Sequence, residues 1–385
     1  MERILITERP DWREQARELG FEFHTFDGEP YWDERAYYRF TLRQIEDDLE
    51  APTEELHQMA LSLVPEIVAS EALLTRLDIP QYCWPALEDS WRRRDPHLYG
   101  RLDLAYDGRG PAKLLELNYD TPTSLYESGF FQWIWLEDQV RRGVLPAGAD
   151  QFNSLQEKLQ SAFTTHGSGK PLHFTCVGDN LEDRGNLDYL IDIALQAGCD
   201  ARFIDLVDIG ELAGQLVDLE SKPIREIFKL YPWEFMVREP FGQALLTSQT
   251  RFIEPAWKMI LSNKGILPLL WQAFPGHPNL LPACFDDSPR DSLPPGWVRK
   301  PLYSREGANI ELVDHRGEHL QEPGPYDDSG YVRQAFHPLP CFAGSYTLIG
   351  SWVVGDEAAG IGIREDATLI TKDSSRFLPH IILDQ

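Results

Sequence analysis

Three consecutive pieces, Gly100-Arg-Leu-Asp-Leu-Ala-Tyr-Asp107, Gly108-Arg-Gly-Pro-Ala112 and Lys113-Leu-Leu-Glu-Leu-Asn118, decide how this chain is read. Two apolar–polar alternations on either side of an Asp-Gly-Arg-Gly turn predict a β-hairpin. Side chains alternate faces along a strand, so Leu102, Leu104, Leu115 and Leu117 are expected to face a core. Arg101, Asp103, Glu116 and Asn118 then share the opposite face. Carboxylates crowded on one face repel each other unless a hard cation sits between them, and oxygen ligands suit such a cation. An arginine beside them suits a phosphate or carboxylate. The hairpin therefore points to nucleotide-dependent chemistry.

Outward from the hairpin, the 385 residues are too many for one compact core, and two or three associated subdomains are expected. The composition supplies ample apolar and aromatic material for burial. A formal net charge of −26 argues against nucleic acid or an anionic membrane as the main partner. It favours a cationic ligand, or simply keeps the surface solvated. The five cysteines, Cys83, Cys176, Cys199, Cys284 and Cys341, are scattered without a C-x-x-C pair. That pattern suits a reducing compartment and excludes a cysteine-rich zinc site. No basic-then-apolar leader opens the sequence and no window is apolar enough to span a bilayer, so a cytoplasmic location is expected.

Helical spacing of apolar residues predicts helices over 34–49 and 53–70, the second capped by Thr53, with shorter ones over 71–77 and 80–94. After the hairpin, a Thr121-Pro-Thr-Ser124 loop leads to the aromatic run Phe130-Phe-Gln-Trp-Ile-Trp135, read as a helix packed into the core. Residues 151–165 read as a helix. Strand 173–177, helix 186–197 and strand 201–206 then imply a right-handed crossover in a parallel sheet. The acidic loop Gly178-Asp-Asn-Leu-Glu-Asp183 takes the place of a dinucleotide fingerprint. It is either a cation-binding or a solvated turn. The last third reads as antiparallel strands over 296–301, 310–313, 318–321, 331–335, 347–354 and 358–364, with a short final one over 368–371. His315 and His319 flank a hairpin turn as surface residues.

Within that last third, the polar loop Ser304-Arg-Glu-Gly-Ala-Asn309 closely follows Lys300. Its amides suit a phosphate, as Lys300 and Arg305 do; an ordinary hairpin turn is the alternative. Lys264 in Asn263-Lys-Gly-Ile-Leu-Pro268 and Arg364 in Gly360-Ile-Gly-Ile-Arg-Glu-Asp366 would each be structural if met alone. No G-x-S-x-G elbow or cysteine–histidine pair supports a covalent hydrolase.

Taken in order, these motifs, together with Leu348-Ile-Gly-Ser-Trp-Val-Val-Gly-Asp356, resemble the synthetase domain of the glutathionylspermidine synthase family from end to end. The resemblance implies an ATP-grasp acid–amine ligase, without the amidase domain of bifunctional members. The implied fold is mixed, α+β with an α/β portion. It has a helical region plus metal hairpin over 1–145 and an α/β substrate subdomain over 146–262. A lid with nucleotide-binding strands would follow over 263–345, and closing strands over 346–385. It assigns magnesium to Asp103, Glu116 and Asn118, and stabilisation of the transferring phosphoryl group to Arg101. ATP contacts fall to Arg101, Lys264, Lys300, Arg305, Gln334 and Arg364, with the strand 332–336 offering backbone hydrogen bonds to adenine. Thr121 and Thr123 stand where the family has serines for the acid substrate; Glu182 and Asp183 match a pair of acids that hold acid and amine. Leu230 departs from an expected polar substrate contact. The expected cofactors are ATP and magnesium, and the expected partners a small carboxylate and a small amine. The competing expectation is an ATP-binding module that works through a protein partner.

Overall fold

The computed structural model describes all residues except 27, 167–168, 289–290, 327–328, 373–374 and 384–385. The fold is mixed α+β, and its sheets set up the site. The hairpin forms from Tyr99–Ala105 and Lys113–Asn118, with Arg101 opposite Asn118 and Asp103 opposite Glu116. It joins an antiparallel sheet through Ser345–Val354, where Gly350 pairs with Asp103 and Trp352 with Arg101. Glu357–Asp366 and then Arg376–Leu378 extend that sheet. Strands far apart in sequence thus share one surface.

One detail differs from expectation. The register slips between Asp103 and Leu104, so Leu104 pairs with Leu114 and Leu115 becomes the extra residue of a bulge. Leu102, Leu104, Leu114 and Leu117 are buried in the largest apolar core, whereas Leu115 turns to the polar face.

The second antiparallel sheet runs Ala283–Asp286, Tyr331–Ala335, Trp297–Pro301, Glu311–Val313, His319–Gln321. A third sheet, all parallel, orders Arg251–Ile253, Glu226–Lys229, Pro171–Thr175, Asp200–Phe203. The crossover expected from strand, helix and strand is present there, but its helix is longer. Asn180 accepts from the N–H groups of Glu182 and Asp183, so the helix Leu181–Gln196 begins inside the expected acidic loop.

The expected helix over 34–49 begins as a strand. Ala36-Tyr-Tyr-Arg-Phe40 pairs antiparallel with Glu2–Leu5 and parallel with His380–Ile382, because aromatic residues on a half-buried surface favour strand. Thr41 and Gln44 form a reciprocal capping box, and helical turns continue from Leu42 to Val68. Thr53 is therefore interior to a helix, its hydroxyl 2.7 Å from that of Ser351. The expected strand at 368–371 is a turn, in which Asp366 accepts from the Thr368 N–H at 2.8 Å. The aromatic run packs as expected, with Phe131 and Trp135 fully buried. Among the described residues, no helix is long and apolar enough to cross a membrane.

Candidate active site

The two antiparallel sheets face each other across a cleft of about 1150 Å³, its open mouth included. One wall carries Arg101, Asp103, Glu116, Asn118 and Arg364; the other carries Lys300 and Gln334. The cleft also has apolar lining, with Val298, Leu312, Leu339, Leu348 and Ile370 among others. Cations and apolar side chains lining one cleft suit a polyanion joined to an aromatic base.

In-register pairing puts the hairpin's polar side chains within reach of each other. Asn118 Nδ2 donates to Asp103 Oδ2 at 3.3 Å and to Glu116 Oε1 at 3.2 Å. These three side chains offer hard oxygen donors, once the Asn118 amide turns its oxygen inward. That donor chemistry fits a magnesium ion. No cluster of three or more His, Cys, Asp or Glu suited to a metal occurs among the described residues, so the carboxamide is needed to complete the set.

The carboxylates are balanced by cations from elsewhere in the chain. Arg101 donates to Asp103 through Nε at 2.7 Å, and through Nη1 to Thr123 O at 2.7 Å and Ser124 Oγ at 3.3 Å. Arg364 reaches Asp103 Oδ2 at 3.2 Å. Lys264 Nζ lies 3.2 Å from Glu116 Oε2 and donates to Ser304 O at 2.7 Å. Burial alone would raise the Glu116 carboxyl, but Lys264 and Lys300 beside it hold it well below the usual carboxylate range. Lys264 precedes Gly265, which opens the helix Ile266–Ala273.

Lys300 is held by the bulge. Its Nζ donates to Leu115 O and to Gln334 Oε1, each at 2.8 Å, while Gln334 Nε2 donates to Leu114 O at 3.0 Å. Gln334 thus places the lysine as well as lining the cleft. Burial pushes the Lys300 ammonium down to about 8, against the opposing pull of Glu116. Replacing it, Lys300→Ala, is expected to weaken ATP binding roughly 10- to 100-fold, the worth of a charge-assisted hydrogen bond. An unaltered nucleotide affinity in equilibrium titration would remove Lys300 from the site. Only the ammonium form attracts phosphate, so the wild-type affinity should fall as pH rises through about 8.

The loop after Lys300 folds onto the cleft. Gly307 has φ +74°, and an added Cβ would meet Ile370 Cγ2 at 2.6 Å and Thr371 O at 2.8 Å, so the loop is docked on the turn that replaced the expected last strand. Arg305 Nη1 donates to Thr121 Oγ1 at 2.9 Å and Nη2 to Glu234 Oε1 at 2.8 Å. The loop is thereby tied to the segment carrying Thr121 and Thr123, both of which line the cleft. Glu234 gave no signal in the sequence.

Along 332–336, where backbone hydrogen bonds to adenine are expected, two of the N–H groups are used within the sheet. That strand lies inside its sheet with both edges paired. The Ala335 and Phe336 N–H groups donate to Pro282 O and Gly296 O, at 2.7 and 2.8 Å. Just beyond, Phe336, His337 and Leu339 line the cleft wall. Glu182 and Asp183 do not line this cleft; they open the helix Leu181–Gln196 beside it.

Gly350 supports Arg101 from behind. A Cβ there would approach Arg101 Cδ to 2.8 Å and Nε to 3.3 Å. Since the guanidinium is pinned at several atoms, Gly350→Ala is expected to displace it. The predicted cost is roughly 10- to 100-fold in kcat with melting temperature little changed. An unchanged kcat would show that Arg101 placement tolerates the shift.

A family model described as glutathionylspermidine synthase preATP-grasp matches residues 3–383. A Haemophilus influenzae protein provisionally named an acid–amine ligase is 42% identical over 394 residues, with 97% of each chain covered. The bifunctional glutathionylspermidine synthetase/amidase of Escherichia coli is 29% identical; the match covers 90% of this chain but 60% of that enzyme. The trypanothione synthetase of Crithidia fasciculata is 28% identical, with 84% of this chain and 53% of that protein covered. Among solved structures, a glutathione synthetase-like effector from Globodera pallida, in its apo form, aligns with a TM-score of 0.52 over 98% of each chain. At 12% identity that likeness is one of fold.

Proposed function

The chain belongs to the glutathionylspermidine synthase preATP-grasp family, and on that premise we propose that it is an amide-forming ligase that uses ATP and magnesium to join a small carboxylic acid to a small amine. The observation that carries this reading is the single cleft uniting the Asp103–Glu116–Asn118 oxygen set, Arg101, Arg364, Lys300 and apolar side chains. A binding module has little use for all of them together.

Asp103, Glu116 and Asn118 would hold the metal, which when bound neutralises phosphate charge and orients the transferring group. Lys264, Lys300 and Arg364 bring further positive charge to the polyphosphate. Arg101, fixed by Asp103 and Thr123, faces the place where charge develops as the phosphoryl group passes to the acid's carboxylate. The products of that step are ADP and an acyl phosphate. The neutral amine nitrogen then attacks its carbonyl carbon, the C–N bond forms, the C–O bond to phosphate breaks, and the proton lost from nitrogen leaves with the phosphate. The docked lid keeps water from competing with the amine.

The acid side is assigned to Thr121 and Thr123, near Arg305, and the amine side to Glu182 and Asp183. A peptide-like acid such as glutathione and a polyamine such as spermidine are the first pair to test, from the names of the relatives. The experiment is ATP consumption with magnesium over a panel of acids and amines, with products read by mass. An amide that needs both substrates supports the ligase. Nucleotide binding without turnover on any pair would favour the partner-dependent module.

A further inference from the structure

Next to the cation-rich wall lies a group of acids that the nucleotide chemistry leaves unused. Glu127 sits in the helical turn Tyr126–Phe131 that follows the Thr121–Ser124 loop, and is 1% exposed. Its Oε1 accepts from the Tyr31 hydroxyl at 2.7 Å, and the same phenol lies 3.4 Å from Glu182 Oε1. Glu127 Oε2 is buried without a hydrogen-bond partner. An ionised carboxylate in that position would have one oxygen desolvated and unpaired while facing another carboxylate. That arrangement is costly for a permanent charge.

Charged and titratable groups meet here from every side. Arg101, from the hairpin, acts on Glu127, but its hydrogen bonds go to Asp103, Thr123 and Ser124. Arg364 acts on Tyr31, Arg305 and Glu306 act on Asp183, and Tyr126 flanks Glu127 in its own helix. Burial first, then Glu182, push the Glu127 carboxyl up to about 8; burial and Glu182 push Asp183 up to about 7. A cation brought to Glu182 would cancel the repulsion that keeps the proton on Glu127.

We propose that Glu127 is a positioning residue for the amine substrate: it holds a proton while the site is empty and releases it when an ammonium group docks at Glu182. This deepens the ligase reading and rests on it for the identity of the cation. In the binding step the Glu127 O–H bond breaks, its proton goes to solvent, and no other bond changes. The ammonium group then sits between two carboxylates, with Tyr31 bridging them. The nitrogen held there is not the one that attacks, so the contact favours an amine with a second nitrogen left free.

The test is calorimetric titration of the full chain with spermidine at pH 7, in buffers of different ionisation enthalpy. The wild type is expected to release about one proton more per spermidine bound than Glu127→Gln, whose remaining release comes from Asp183. The spermidine affinity of the wild type should rise up to about tenfold per pH unit between pH 6.5 and 8 and level off above. Between pH 7 and 8, where Asp183 is largely ionised, the affinity of Glu127→Gln should change little and lie about tenfold below the wild-type plateau. Should that variant fail to fold, a carboxyl titrating near pH 8 in the ¹³C spectrum of the wild type, and shifted to lower pH by saturating spermidine, makes the same point. Equal proton counts in wild type and variant, no titrating carboxyl near 8, or no binding of spermidine to the wild type would each overturn the proposal. Amide synthesis with normal product but no proton release would reject the role of Glu127 alone. Proton-coupled binding without any amide product would reject the ligase reading instead.

Discussion

Glu116→Ala is expected to lower magnesium-dependent ATP turnover by about three orders of magnitude, the several kcal/mol that a metal's charge is worth to a transferring phosphoryl group. The residue is half-buried at the cleft wall, in a strand whose core-facing neighbour Leu117 anchors it. Truncation removes no core contact, so the fold should persist. The electrostatic consequence runs two ways. The metal loses one of its two carboxylates, while Lys264 and Lys300 lose the anion that balances them. Metal-free ATP should therefore bind the variant at least as well as the wild type, even as turnover collapses. Isothermal titration with ATP in the presence of chelator, beside a turnover assay with magnesium, separates the two effects. Unchanged turnover in a folded variant would sink the metal assignment; loss of metal-free ATP binding would show a general disruption of the cleft.

Much of this wall was legible in the sequence because the hairpin obeys period-two alternation and its turn is marked by Asp107-Gly-Arg-Gly110. Pairing Arg101 with Asn118 and Asp103 with Glu116 needs nothing from outside the hairpin. The bulge was not legible. Leu114 and Leu115 are chemically alike, and only the Asn279 carbonyl that meets the Leu114 N–H, with Lys300 and Gln334 taking the neighbouring carbonyls, shows which leucine leaves the core. The strand over Ala36–Phe40 was hidden for a similar reason. Its partners lie at the two ends of the chain, and aromatic spacing there fits either a helix or a strand.

Function-bearing residues divide along the same line. Arg101, Lys300 and Arg364 stand in local motifs with glycines and acids around them. Glu127 stands just ahead of the aromatic run that reads as core, and its meaning comes from Tyr31 and Glu182, distant in sequence. Likewise Glu234 acquires significance only as the acceptor for Arg305. A residue whose role is set by burial and long-range partners leaves no spacing to read. Local alternation reveals the oxygen-donor wall and motif order reveals Glu182 and Asp183, whereas Glu127 emerges only from tertiary contacts.

Arg101→Lys should be nearly as damaging as loss of Glu116, though it keeps the charge. The guanidinium makes contacts in three directions, to Asp103, to Thr123 O and to Ser124 Oγ, and its fork holds them in one plane. A lysine is a point charge on a flexible stem; it can satisfy Asp103 or the loop carbonyl, not both in the same geometry. The expected loss is roughly 10²- to 10³-fold in kcat, the worth of one preorganised group at a developing charge. The KM for ATP should change little, because Lys264, Lys300 and Arg364 still meet the polyphosphate. The loop Thr121–Ser124 should loosen, since Arg101 ties its carbonyl down, and the KM for the acid substrate should rise. That split, kcat down with acid KM up and ATP KM steady, separates a role in phosphoryl transfer from a purely structural one. If kcat stays within twofold while ATP KM rises, Arg101 is a nucleotide-binding residue and the group that stabilises phosphoryl transfer has to be sought at Arg364, the other guanidinium on Asp103.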